Sequence, residues 1–594
     1  MEKNRTAFRD ILKDFSILYP YFSQNRLPLT IGLLSLLLVD LLQLVVPLII
    51  KRTVDHLATG TATASTLLFY GAAILGLALT IGVFRYIWRM GIFGISRKIE
   101  MGLRNEMFAR LQTLSPSFFQ KTVTGDLMAR AVNDINAIRM ASGMGLVALV
   151  DATVLGMAAV GFMLSINVSL TLISLIPAPF IVVLGRILTR RMSTGFERVQ
   201  QTFSNLTERV REGFAGIRVI KANSLEQWQL KRVEGEGKRY IAENLSLAKT
   251  MAFFFPVVAI FTNLGLAIVI WMGGRLTIAG NITPGDLVAF TSYLNIMTWP
   301  IMAMGWVANL LQRGGASLRR IRGILDQQPE ITERENAVAP GRTNGEIRAE
   351  RLSFRYEGQK QDTLEGINFK ILPGETVAFV GRVGSGKSTL LRMLPRLLPV
   401  QPGVLFLDGY DVTDLSLSGL RKSMGFVPQD VFIFSDTIRN NLLMGREGIT
   451  EDRLKEALDT AGIWEEFQAY EKGLDTLVGE RGITLSGGQR QRLTIARAVL
   501  EDPPVLILDD ALSMVDSRTE ERILTRILKN RTGRTTLIVT HRTATLRSVD
   551  RVIVLDEGKI AEEGDHYSLL SKGRLYGAIY ESRLLEAELE LGEI

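Results

Sequence analysis

Six apolar runs constrain this chain more than any other feature. They lie at approximately 27–50, 65–93, 143–166, 168–188, 250–272 and 285–311. Each approaches or exceeds the ~20 residues a helix needs to cross about 30 Å of hydrocarbon. One such run can be a buried core helix, but six within 285 residues predict an all-α transmembrane bundle, because helices satisfy their own backbone groups in lipid. The third and fourth are split only by Asn167 and its neighbours, a tight hairpin. Beyond about residue 315 the composition becomes that of a soluble α/β protein, and at ~150 residues per domain a 594-residue chain has room for it.

The net charge of +8 raises nucleic acid as a partner. The basic residues lie mostly beside the apolar runs, however, which points to a lipid bilayer and away from nucleic acid. Segments 94–142 and 189–249 hold seven and twelve Lys and Arg, whereas the segments after the first, third and fifth runs hold two, none and one. The two basic segments are therefore expected to face the cytoplasm, together with both termini. Both continue a helical pattern, Ile95–Leu114 and Arg190–Gly213, and about 25 such residues reach nearly 40 Å past the bilayer. The turn-rich tips, 115–126 and 213–226, are expected to pass motion to the soluble half.

The first residues carry Phe8, Ile11, Leu12, Phe15, Leu18 and Tyr19 at helical spacing, predicting a helix on the membrane surface rather than a removable signal peptide. Asp40 in the first run and Asp151 in the third each cost at least ~2.5–3.5 kcal/mol in hydrocarbon, so they are candidate cavity-lining residues or partners of a nearby Arg or hydroxyl. Pro300 is expected to kink the sixth run. The absence of cysteine excludes disulfides, thiolate metal sites and cysteine nucleophiles.

Four segments follow: a surface helix at 1–26, the transmembrane part at 27–325, a linker at 326–345, and a soluble domain at 346–594. In the last, the apolar Glu375–Val380 leads into GRVGSGKS and then a helix-forming stretch. That strand, glycine loop and helix form a phosphate cradle built from Gly381, Arg382, Val383, Gly384, Ser385, Gly386, Lys387, Ser388 and Thr389. Lys387 can reach the β- and γ-phosphates and Ser388 can offer its hydroxyl to Mg²⁺. Tyr356 ends an earlier strand, where its ring can stack on a base. Gln429 ends another and can ligate Mg²⁺. Leu485, Ser486, Gly487, Gly488 and Gln489 open a basic helix as a second anion site. Strand Val505–Asp510 ends in two carboxylates: Asp509 is placed to hold Mg²⁺ through water, and Asp510 stands where a base or water-positioning group is expected. His541 closes a further strand within reach of a γ-phosphate.

Taken in this order, these motifs resemble the ATP-binding cassette (ABC) exporters over essentially the whole chain. The resemblance implies one six-helix transmembrane domain fused to an α/β P-loop nucleotide-binding domain, with ATP and Mg²⁺ as cofactors. It identifies GRVGSGKS with the Walker A loop, Tyr356 with the A-loop aromatic, Gln429 with the Q-loop, LSGGQ with the signature and LILDD with the Walker B strand. Ser513–Asp516 (SMVD) then resembles the D-loop, His541 the switch histidine, 115–126 and 213–226 the coupling regions, and Gly479–Gly482 (GERG) an exporter-specific loop. Such proteins work as dimers in which each ATP lies between the Walker A loop of one subunit and the signature of the other.

One position departs from that pattern: the usual catalytic glutamate is Asp510. A carboxylate retracted by over ~1 Å can cost about 100-fold in rate. The resemblance is thus to the degenerate-site subunit of a heterodimeric exporter, pairing with a second half-transporter that carries the glutamate. The expected activity is ATP-driven export of an amphipathic drug or lipid across the inner (plasma) membrane. The alternatives are a homodimer that uses Asp510 as its catalytic carboxylate, and an ATP-binding regulatory subunit.

Overall fold

A computed structural model describes residues 14–341, 343–479, 482–540 and 542–592. Phe8, Ile11 and Leu12 of the expected surface helix lie outside the described residues. The chain divides into two compact units, one of Met1–Gln112 with Val123–Gln327, the other of Thr113–Thr122 with Gln328–Ile594.

The first unit contains six helices long and apolar enough to cross a membrane: α1 (Arg26–Ala58), α2 (Ala64–Thr113), α3 (Thr124–Ile166), α4 (Val168–Ala215), α5 (Glu226–Ile278) and α6 (Pro284–Leu325). The apolar runs are thus the inner parts of much longer helices, and the basic arms continue them. α6 is central, touching α1, α3, α4 and α5, and it runs through Pro300 without interruption. α2 instead leaves Leu68, Phe69, Leu75, Leu79 and Val83 exposed, the apolar face that lipid covers.

Polar contacts fix the register of this bundle. The Tyr293 hydroxyl donates to the Leu44 carbonyl at 2.9 Å, tying α6 to α1, and its ring stacks on Phe162 of α3 at 5.4 Å. Further along α6, Arg320 Nε donates to Asp134 Oδ2 at 2.7 Å and Ser317 Oγ to Asp134 Oδ1 at 3.0 Å. At the α3–α4 hairpin the Asn167 side chain accepts from Leu170 N at 2.9 Å, capping the start of α4.

α3 is not a uniform helix. It widens into π-type turns at Arg130–Asp134, Ala141–Gly145 and Asp151–Leu155, each a local one-residue insertion of a kind often found at functional positions.

The second unit is built on two sheets. An antiparallel one runs in the order β2 (Leu364–Ile371), β1 (Ile347–Phe354), β4 (Leu405–Leu407), β5 (Tyr410–Asp411). The other has the order β10-β9-β3-β8-β7-β6, from β3 (Thr376–Gly381), β6 (Met424–Val427), β7 (Val505–Asp509), β8 (Thr535–Val539), β9 (Arg551–Asp556) and β10 (Lys559–Gly564). All neighbours in it pair in parallel except β9 and β10. β7 and β8 are buried throughout, as continuous apolar strands covered on both faces must be.

Two flanking segments join this unit. The stretch before β1 pairs Val338 with Leu415, so it lies on the domain surface. The short helix Pro116–Lys121 does so too: Ser115 Oγ donates to Glu330 Oε2 at 3.0 Å, and Lys121 forms an ion pair with Glu357.

Candidate functional site

The register of the parallel sheet assembles the site. Phe379 on β3 pairs with Val539 on β8, which pairs with Asp509 on β7. Three strands therefore end at one edge, where open α/β sheets bind ligands. From β3 the chain enters the glycine loop, whose Gly381, Gly384 and Gly386 all have positive φ. At Gly386, φ +99°, a Cβ would lie 2.7 Å from Leu364 Cδ2 and 3.0 Å from the Thr363 carbonyl, so only glycine fits. Val383 stands exposed at the crest while Ser385 is buried.

The helix α7 (Lys387–Met393) follows directly. Lys387 Nζ donates to the Gly381 and Arg382 carbonyls, 2.8 Å each, and so folds over its own loop. Burial lowers its pKa, while Asp509 and Asp510 act in the opposite sense. Ser388 Oγ donates to Asp509 Oδ1 at 2.7 Å. Thr389 Oγ1 lies 3.2 Å from the Tyr356 hydroxyl, and the Tyr356 ring meets Phe354 edge-on.

Asp509 is fully buried, and its Oδ2 has no partner among the described residues. An orphaned carboxylate oxygen beside a serine hydroxyl is a hard, oxygen-rich corner that suits Mg²⁺. Burial raises the pKa of both Asp509 and Asp510, and at Asp510 the neighbouring Asp509 adds to it. Asp510 itself adopts φ +50°, a left-handed conformation uncommon outside glycine and typical of strained functional positions. Its Oδ2 accepts a long bond from Gln429 Nε2, 3.4 Å. His541 lies outside the described residues.

The LSGGQ group is organised separately. Ser486 caps α8 (Gly487–Val499), accepting from Gln489 N at 3.2 Å, and Gln489 Oε1 in turn accepts from Ser486 N at 2.9 Å, a reciprocal capping box. Gln489 Nε2 also donates to Glu466 at 3.0 Å. Leu485 is buried as an anchor. A Cβ on Gly487 would sit 2.9 Å from Met514 Sδ. The buried Gln491 binds both Met514 N and Ser513 Oγ, at 2.9 and 3.0 Å, which locks this helix to the SMVD turn. Of the neighbouring GERG loop, Glu480 and Arg481 lie outside the described residues.

In the first unit, Asp40 is 2% exposed and Asp151 is half-buried, and Asp40 Oδ2 and Asp151 Oδ1 have no hydrogen-bond partner among the described residues. The two carboxylates are near neighbours, and Arg85 and Trp299 face Asp151. Asp40 is thus enclosed by the bundle rather than on an exposed face.

Several groups at these sites carry no sequence motif. Glu466 and Gln491 hold the signature helix, while Glu520, Arg542 and Arg583 share a cavity with Asp510. Their signals were positional: Gln491 lies two residues after LSGGQ, Glu520 shortly after SMVD, and Arg542 next to His541.

Comparison with known proteins accounts for both units. The profile of the ABC transporter transmembrane region matches residues 29–301, and that of the ABC transporter domain matches residues 364–513. The chain is 34% identical to the "Probable multidrug resistance ABC transporter ATP-binding/permease protein YheI" of Bacillus subtilis, over 95% of this chain and 97% of that protein. It is 33% identical to an "ATP-dependent lipid A-core flippase" of Syntrophus aciditrophicus, over 86% and 85% of the two chains. Among solved structures, a bacterial Atm1-family ABC exporter with ATP bound superposes with a TM-score of 0.75 at 26% identity, covering 96% of this chain and 99% of that one.

Proposed function

Since the chain belongs to the ABC transporter family, as a multi-pass membrane exporter that couples ATP hydrolysis to transport, we propose that it is the degenerate-site half of a heterodimer. Its cargo is an amphipathic small molecule or lipid, moved across the inner membrane with both termini and the nucleotide-binding domain in the cytoplasm. The names of the relatives, multidrug and lipid A-core exporters, support that cargo class. The distribution of Lys and Arg supports the orientation.

The observation that carries the heterodimer reading is Asp510. It is a short carboxylate that reaches Gln429 only at 3.4 Å, beside an otherwise complete Ser388–Asp509 pair. Lys387 and the loop N–H groups would bind the phosphates, and Tyr356 would turn from Thr389 to meet the base. Asp509, Ser388 and Gln429 would hold Mg²⁺, which supplies charge neutralisation at the phosphates. Asp510 would orient water poorly, so this subunit's own site would be slow. Ser486, Gly487 and Gly488 would close on ATP held by the partner, whose glutamate does the faster work. The long arms α2–α3 and α4–α5 would carry the resulting closure to the bundle.

The test is to purify the chain alone and with each co-encoded half-transporter and compare ATPase rates. Turnover of the lone chain equal to that of every pair, and lost in D510A, would establish the homodimer instead.

A further inference from the structure

Behind the end of β7 lies a cavity of about 200 Å³ with four charged side chains in its wall. They are Asp510 after β7, Glu520 on α9 (Ser517–Asn530), Arg542 after β8, and Arg583 on the C-terminal helix α10 (Leu575–Gly592). Glu520 is 5% exposed, and none of the ATP-binding motifs includes it. A carboxylate is retained at such depth only when it is paired.

Its partner is Arg542. Arg542 Nε lies 2.7 Å from Glu520 Oε2 as an ion pair without hydrogen-bond alignment, and Arg542 Nη2 donates to the Val515 carbonyl at 2.8 Å. Thr545 Oγ1 donates weakly to the other carboxylate oxygen, at 3.4 Å. The guanidinium thereby joins the segment after β8 to the SMVD turn and to the first turn of α9. That turn is itself fixed where Asp516 Oδ1 accepts from Thr519 N at 2.9 Å. Two acids, Glu520 and Asp510, border the cavity that holds this guanidinium, and its charge acts on both. A planar fork that is already engaged on one side is withheld from the other.

We propose that Glu520 is a positioning residue for ATP hydrolysis. By holding Arg542 on the Val515 carbonyl it keeps the guanidinium from pairing with Asp510, and so leaves that carboxylate facing Gln429 and the nucleotide. The role rests on the chain's hydrolysing ATP and holds whether its own site is slow or fast.

The arrangement also predicts a pH signature. Burial raises Glu520 to about 7, with Arg542 and Thr545 opposing and Asp510 adding to the shift. The charged groups around it are Arg542, Asp510 across the cavity, and Arg583 from α10. Above that pH Glu520 is ionised and retains Arg542. Below it the tether is neutral and its hold on Arg542 is weakened.

The experiment uses the full-length chain in lipid nanodiscs, comparing E520Q, E520D, R542Q and the E520Q/R542Q double variant. Each is made with Asp510 and again with D510E. E520Q is expected to lower kcat about ten-fold while KM and binding of a fluorescent ATP analogue stay within about two-fold. The rise of kcat through pH 7 should disappear, E520D should restore part of both, and the double variant should recover most of the kcat lost in E520Q, because no guanidinium remains to capture Asp510. An E520Q chain with unchanged kcat and pH profile overturns the proposal. So does a loss of kcat that tracks a matching loss of nucleotide binding and unfolding temperature. If E520Q does not fold, R542Q carries the test: it removes the guanidinium that would otherwise capture Asp510, so kcat should stay within about two-fold of native, and an R542Q chain about ten-fold slower than native overturns the proposal. A D510E chain no faster than the native one counts against the degenerate-site reading, whereas an E520Q effect absent from both parents counts against this one.

Discussion

Ser388 Oγ donates to Asp509 Oδ1 at 2.7 Å, joining the first turn after the glycine loop to the end of a strand 121 residues later. The other oxygen of Asp509 is buried and unpartnered among the described residues. D509N should therefore cost about 100-fold in ATP turnover, the scale of losing one preorganised electrostatic group. Nucleotide binding in EDTA, which depends on Lys387 and the loop, should stay within about three-fold of native. Paired ATPase and fluorescent-nucleotide titrations check both.

At Asp510 the direction reverses. D510E extends the carboxylate by one methylene, toward the place a water must occupy, and should raise hydrolysis at this subunit's own site by about 10- to 100-fold. Single-turnover measurements on the chain without a partner read this directly. An unchanged rate would mean that carboxylate reach was not limiting.

Much of this could be read in the sequence because it is local. A glycine loop between strand and helix, a strand ending in two carboxylates, and six apolar runs carry their meaning in consecutive residues. The rest depends on distance in the fold. No pattern brings Asp40 beside Asp151, because each is a lone acid in its own apolar run. The π-type turn at Asp151–Leu155 leaves the residue types unchanged and shifts only their angular placement. Glu520 and Arg542 stand 22 positions apart, beside motifs that do not include them, and Arg583 joins them only because α10 folds back on the domain. The lapse in periodicity before β1 predicts a linker, and the same lapse is what a strand-like segment with one bridge, Val338 to Leu415, produces.

The C-terminal helix gives a pH prediction. His566 is 4% exposed, with Nδ1 2.7 Å from the Tyr576 hydroxyl, and burial holds its pKa below the usual range, with Arg547 adding to the shift. The unfolded imidazole takes up a proton near pH ~6.5, and the folded one only at lower pH. The unfolded state thus binds more protons in that window, and stability should fall as pH drops through 6.5. Thermal unfolding at pH 7.5 and 5.5 checks the sign, and H566F should flatten the difference. Y576F, which removes the shared hydrogen bond, should cost about 1 kcal/mol at pH 7.5.

Lys121 and Glu357 form an ion pair between exposed side chains, so K121A should change stability by less than about 1 kcal/mol. Proximity is the sharper test. The chain has no cysteine, so K121C/E357C can be joined by a short bismaleimide with no competing thiol. Near-complete cross-linking, read by mass spectrometry of the linked peptides, is the expected outcome. Failure to link in the nucleotide-free chain would place this segment elsewhere.

The membership of Thr113–Thr122 in the second unit has a consequence for how the protein is made. The decapeptide leaves the ribosome more than 200 residues before Glu330 does. At about 5–20 residues per second, it waits roughly 10 to 40 s for that first contact, and longer for the sheet that completes its dock. A gene cut at the boundary between the two halves would therefore yield a soluble piece with one of its own surfaces missing. During synthesis, the last event is less the folding of a tail than the capture of a loop that has been waiting since the second helix was laid down.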